Sequence, residues 1–172
     1  TQFRAIPKAV GGSLFRIHRD VRFARDKSPY KTHTGLHFRH ALGKDAHAPG
    51  FYLHLQPDEV FCGVGIWMPD NPTLTKIRDG IVADPQGWTA MKQALADAGY
   101  EWMSQEALKR PPRGYPRDHE HVEDLKFKSF AVSRRFEEAD VSRPDFIEQV
   151  AEAFQGAAPL ARVVCKAVGV PF

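Results

Sequence analysis

The feature that most constrains this chain is a change of hydrophobic period near residue 70. Before it, apolar residues recur at every second position; after it, they recur at every third or fourth. Phe51, Leu53 and Leu55 alternate with Tyr52, His54 and Gln56, the pattern of a half-buried strand. Leu74, Ile77 and Ile81, and then Trp88, Met91 and Leu95, fall on helical stripes. Strands first and helices after predict an α+β fold, with an antiparallel meander packed by helices on one face and open on the other.

The alternation predicts strands over 13–18, 32–41, 51–56 and 60–68. In the first, Phe15 and Ile17 share one face and Arg16 and His18 the other. In the last, Gly63 and Gly65 lie on the same parity as Phe61 and Trp67, and glycine inside a strand marks close approach of a ligand or of another backbone. Asn71-Pro72 and Asp84-Pro85 read as helix starts, the polar residue capping and the proline opening the first turn. A short strand is expected over 100–103 and another over 127–136, with a proline-rich basic loop and an acidic turn between them. Ser142 reads as the cap of a helix through Phe146, Val150 and Phe154, and Pro159 opens a last helix ending at Gly169. A chain of 172 residues suits one domain, here 1–172.

Charge is divided unevenly along the chain. Residues 1–54 hold ten Lys/Arg against three acids, a net +7, whereas the other 118 residues hold fourteen against eighteen, a net −4. Six of the eight histidines (His18, His33, His37, His40, His47 and His54) lie in the basic part. Strand parity gathers Arg16, His18, His37, Arg39, Tyr52 and His54 on the face opposite the helices, a basic, His-rich surface suited to an anionic partner. No apolar run reaches 18 residues, and no signal pattern opens the chain, so no membrane partner is expected. Cys62 and Cys165 read as buried free thiols of a reducing, cytoplasmic compartment.

The segments GGSLFRIHRDVRFARDKSPYKTH, GKDAHAPGFYLHLQP and LKRPPRGY, with the terminal AVGVPF, resemble a family of conserved hypothetical proteins, domain of unknown function 2461. The resemblance spans essentially the whole chain. It implies a further N-terminal helical segment, absent from this sequence, which begins at Thr1 without Met. It implies no activity, so the residues must supply one.

Three constellations carry chemistry. Arg16, Arg19, Arg22, Lys27, Tyr30 and Lys31 crowd one charged connection with Asp20 and Asp26. They read either as a phosphate or carboxylate site or as a solvated loop held by internal Arg–Asp pairs. In the histidine array, His33 and His37 are about 13 Å apart along a strand and cannot share a metal there. With no HExxH or CxxC, hydrogen-bonded sheet histidines are the better reading and no metal or other cofactor is expected. Lys109, Arg110 and Arg113 stand in a proline-stiffened KRPPR loop that reads as a second anion clamp or as a rigid surface crossover.

His18 with Asp20 is the best acid–base pair in the sequence, although whether the protein is an enzyme is left open. The leading expectation is a small anionic ligand, phosphate- or carboxylate-bearing, on the basic sheet face. The alternative is a non-catalytic module docking an acidic partner or the missing segment. Nucleic acid ranks below the small ligand, because the RNP-type pattern is lacking and a pI of 8.9 is only mildly basic. Oligomeric state is not legible.

Overall fold

The computed structural model describes residues 2–42, 48–103 and 106–172; His47 of the histidine array lies outside them. The described residues form a six-stranded antiparallel sheet and five α-helices. The strands are β1 (Phe3–Arg4), β2 (Thr34–His40), β3 (Gly50–Gln56), β4 (Glu59–Ile66), β5 (Glu101–Trp102) and β6 (Phe130–Phe136). The helices are α1 (Asn71–Ala83), α2 (Pro85–Asp97), α3 (Val122–Leu125), α4 (Phe146–Gly156) and α5 (Ala158–Val168). The sheet order is β1-β2-β3-β4-β6-β5, so β2, β3 and β4 are the expected meander and β6 joins it from across the helical half.

Register makes the two faces chemically different. Phe38, Phe51, Val64 and Val132 stand in one row across β2, β3, β4 and β6, flanked by the row Leu36, Leu53 and Cys62 and by the pair Ile66 and Phe130. All but Leu36 and Leu53 meet α1, α2 and α5 in one core with Leu74, Ile77, Trp88, Leu95, Leu160 and Val164, and those two pack with Val60, Phe146 and Val150 in a second cluster against α4. The rows between them face away from the helices: Gly35, His54, Phe61 and Arg135; His37, Tyr52, Gly63 and Ser133; Arg39, Gly50, Gly65 and Ala131. The α+β architecture expected from the change of period is the one observed.

The helix starts follow from local chemistry. Asp84 accepts from the Gly87 amide at 2.9 Å ahead of Pro85, as expected. For α1 the cap is Asp70, one residue before the expected Asn71, because its carboxylate reaches the Thr73 amide at 3.0 Å. Instead of Ser142 capping a helix, a 3-10 turn spans Glu138–Ser142 and α4 begins at Phe146. Arg143, preceding Pro144, is extended, as the proline ring demands. The last helix ends on Gly169 in the left-handed region at φ 81.

Several expected strands fall short of their patterns: 60–68 ends at Ile66, 100–103 shrinks to Glu101–Trp102, 127–136 starts late and 13–18 is missing. Over 127–136, pairing with β4 starts only at Phe130, because Phe127 bridges Ala107 and the Ser129 hydroxyl accepts from the Met68 amide at 2.9 Å. Over 13–18 no strand forms; Leu14 bridges Leu36 and His18 bridges Tyr30, while β1 takes the upper part of the same β2 edge. The Leu14–Leu36 pairing also inverts the expected parity. With the Phe15 amide on Gly35 O and the His37 amide on Ser13 O, Phe15 rather than Arg16 joins the face of His37.

On the other flank, β5 covers β6 only as far as Ser133, and Arg134 and Arg135 continue beyond it, exposed. Both cysteines are free and buried, and burial pushes each thiol up to about 11; neither is a nucleophile at neutral pH.

One buried ionic cluster ties α2 to α3. Asp124 accepts from the Trp88 indole at 2.7 Å and from Lys92 at 2.7 Å, with His121 Nδ1 at 3.5 Å. Asp124→Ala strands these donors and is expected to lower unfolding free energy by about 2–3 kcal/mol, read as a lower denaturant midpoint. Asp124→Asn, which can still accept from the indole, is expected to lose less.

Candidate functional site

The face away from the helices is not a uniform basic surface. Its centre is a trough of about 280 Å³ with a floor of Gly50, Gly63, Gly65 and Ala131. Phe15, His37 and Tyr52 wall it on the β2 side, and Trp67 and Met103 on the other. Phe15 lies 6.0 Å from both the His37 and Tyr52 rings, and those two are 6.5 Å apart, centroid to centroid. Small residues on three adjacent strands remove the side-chain layer, so flat rings can stand around exposed backbone.

Two of the glycines have different reasons to be there. At Gly50 a Cβ would run into His37 Nε2; the imidazole leans over the glycine, as aromatic rings do in sheets. At Gly63 the nearest atoms to an added Cβ would be Met103 Sδ at 3.6 Å, Tyr52 Cβ at 3.8 Å and Val132 O at 3.8 Å, ordinary contacts in ordinary strand backbone. Packing does not require glycine at 63, although a strand-interior glycine weakens a fold by roughly 0.5–1 kcal/mol. Its effect is to keep the trough deep.

A second depression, also about 280 Å³, adjoins the first and shares Trp67 and Met103 with it. Phe61, Trp102, Glu59, Glu101, Ser133 and Arg135 complete its lining. His33 and His54 stack at 4.7 Å and His54 and Phe61 at 4.8 Å, a column of rings beside it. Tyr52 OH meets His54 Nδ1 at 3.1 Å. His54 Nε2 is buried without a hydrogen bond, 3.9 Å from Glu59.

The sequence-derived residues divide into three groups. His37, Tyr52, Arg39 and His54 share the open face, with His37 and Tyr52 in the trough wall. Arg39 stands beside His37 and donates to Gly11 O at 3.0 Å. The charged connection is a closed loop, sealed by Arg19 N to Pro29 O at 2.9 Å and Lys31 N to Ile17 O at 2.8 Å. Inside it Arg22 grips both oxygens of Asp20 at 2.9 and 2.6 Å, Arg19 pairs with Asp26, and Lys27 donates to Val21 O at 2.8 Å. Asp20 is therefore spent on Arg22, and His18 packs on Tyr30 at 5.3 Å; no contact joins His18 to Asp20. Arg16 is exposed, and Lys31 reaches the Phe15 ring at 5.7 Å.

Lys109, Arg110 and Arg113 form the third group. Their loop is anchored on the helical side, where Tyr115 donates to Asp79 of α1 at 2.8 Å. All three are exposed, and none lines either depression. Of the residues that do, Phe15 was hidden by the inverted parity, and Trp67 and Met103 had no motif. Gly63 and Gly65 were the signal that marked the place.

Burial, with Arg39 adding to it, pushes the His37 imidazole down to about 4, so at neutral pH the trough wall is uncharged there. Burial first, then His33, also lowers His54, against the opposing pull of Glu59. The unfolded chain takes up a proton near pH 6.5 that folded His37 refuses until about pH 4. Stability present above pH 6.5 is therefore lost as pH falls through that window, by at most about 3 kcal/mol from this group. His37→Gln is expected to flatten the fall in denaturant midpoint between pH 7 and pH 4.5. An unchanged slope would show that His37 titrates normally.

No curated protein and no solved structure matches the chain. A family model, described as conserved hypothetical protein, matches residues 1–162, carrying the strand register, the trough and the start of α5. The chain belongs to the conserved hypothetical protein family DUF2461.

Proposed function

We propose that the open sheet face binds a small molecule whose flat, apolar body lies in the glycine-floored trough and whose anionic group meets an arginine at its margin. The observation that carries this reading is Gly63, a residue that neither backbone conformation nor packing demands and whose missing side chain is the depth of the site. Ligand pockets are mostly apolar with a few placed polar groups, and this trough has ring walls with neutral His37 as a hydrogen-bonding handle. The carboxylate- or phosphate-bearing ligand expected from the sequence is thereby narrowed. A multiply charged phosphate ester finds little to bind on this floor, whereas a carboxylate at the edge has Arg39 on the β2 side and Arg135 beyond Trp67.

Gly63→Ala is expected to hold or raise stability by up to about 1 kcal/mol, through the unfolded chain. Gly63→Val is expected to fill the trough. Indole and indole-3-propionate are the probes: both should raise the melting temperature of the wild type, the acid more, and neither should raise that of folded Gly63→Val. Equal shifts in the two proteins would place binding elsewhere.

A second reading draws on the charged loop. Arg16, Arg25 and Lys31 form no ion pair among the described residues, and Phe23 is 96% exposed with the Arg22 guanidinium 6.0 Å from its ring. This surface suits docking of an acidic protein partner. Poly-glutamate is expected to bind in low salt and to be released near 0.5 M salt, with binding weakened several-fold in Arg16→Ala/Arg25→Ala. No binding at low salt would remove this reading.

A further inference from the structure

We infer that the ligand carries an amine as well as a carboxylate, and that the second depression is the head-group site of an α-amino acid with an aromatic side chain, or of a peptide end bearing one. This rests on the trough reading above and names its ligand class.

The second depression differs from the trough in its charges. Glu59 and Glu101 line it together with Arg135, yet Arg135 forms no ion pair with either carboxylate. Elsewhere in the molecule oppositely charged neighbours are spent on each other, as in Arg22–Asp20, Arg19–Asp26 and Arg143–Asp145. Here acids and base stand around one cavity without closing on each other. A group with both an ammonium and a carboxylate can satisfy them together, the guanidinium taking the carboxylate and a glutamate the ammonium.

Position fixes the acids. Glu101 is opposite Ser133 in the β5–β6 pairing, Arg135 is two residues further along β6, and Glu59 begins β4 beside them. Phe61 adds aromatic wall, which favours a cationic nitrogen. Trp67 and Met103 border both depressions. A ligand that straddles them has its ring over Gly63 and its charged head against β5 and β6. A purely anionic ligand would meet Glu59 and Glu101 uncompensated.

Four probes with one ring separate the possibilities: indole, indole-3-propionate, tryptamine and L-tryptophan, titrated calorimetrically into the whole chain. L-Tryptophan is expected to bind about tenfold more tightly than either singly charged probe. Arg135→Gln is expected to reduce its affinity to that of tryptamine, and Glu59→Gln/Glu101→Gln to that of indole-3-propionate, with indole unaffected by any of them. These side chains are exposed on the sheet surface, so the variants keep the fold, checked by an unchanged melting temperature.

If indole and the acid bind, L-tryptophan gains nothing and the variants change nothing, the head-group assignment is overturned while the trough stands. Loss of the acid's advantage in Arg39→Gln but not in Arg135→Gln would move the carboxylate to the β2 side and also overturn it. If no probe binds, both readings fall.

Discussion

The register of four paired strands is the constraint on which the rest of the molecule depends. Pairing Phe38 with Phe51, Phe51 with Val64 and Val64 with Val132 aligns one large apolar side chain per strand. Each such burial is worth roughly 1.5–3 kcal/mol. A slip by one residue would turn all of them to the far side. The same pairing fixes what is left on that far side. Gly50, Gly63, Gly65 and Ala131 form a patch because core packing forces their neighbours inward, so the trough is the other half of the pattern that builds the core.

Much of this was legible from residue order. Alternation marked β3 and β4, the 3.6-residue stripes marked α1, α2, α4 and α5, and proline after Asn71 and after Asp84 marked two helix starts almost to the residue. The failures share a cause. A short edge segment takes its facing from whichever strand it meets, and the Leu14–Leu36 pairing cannot be seen from the alternation of residues 13–18 alone. That pairing exchanged Phe15 for Arg16 at the site. The β4–α1 turn that carries Trp67 has Met68 in the left-handed region at φ 44, with its amide held by Ser129 sixty-one positions away. Such contacts are long-range and leave no local trace.

Charge was visible in the sequence, but its employment was not. A count of cations cannot tell an arginine that waits for a ligand from one that already grips an aspartate in the same loop. Arg22 and Arg19 belong to the second kind, and their work is to keep a long loop closed. Histidine content misleads in a similar way. His37 sits in the basic half of the chain yet is held neutral by burial and by the very cation next to it, so a density of basic side chains produced an uncharged wall. His40 has likewise left the surface: it is buried, with Nε2 2.7 Å from Pro171 O.

Because β5 is two residues long and covers β6 only to Ser133, the outer edge of β6 is uncovered at Arg135 among the described residues. An unpaired edge of this kind is a template on which another chain can add a strand, and charged side chains are the usual defence. Arg135 is placed as such a charge while it faces a cavity edged with acids. A ligand that neutralised it would also quiet the repulsion that keeps two such edges apart, coupling occupancy of the face to self-association of the chain.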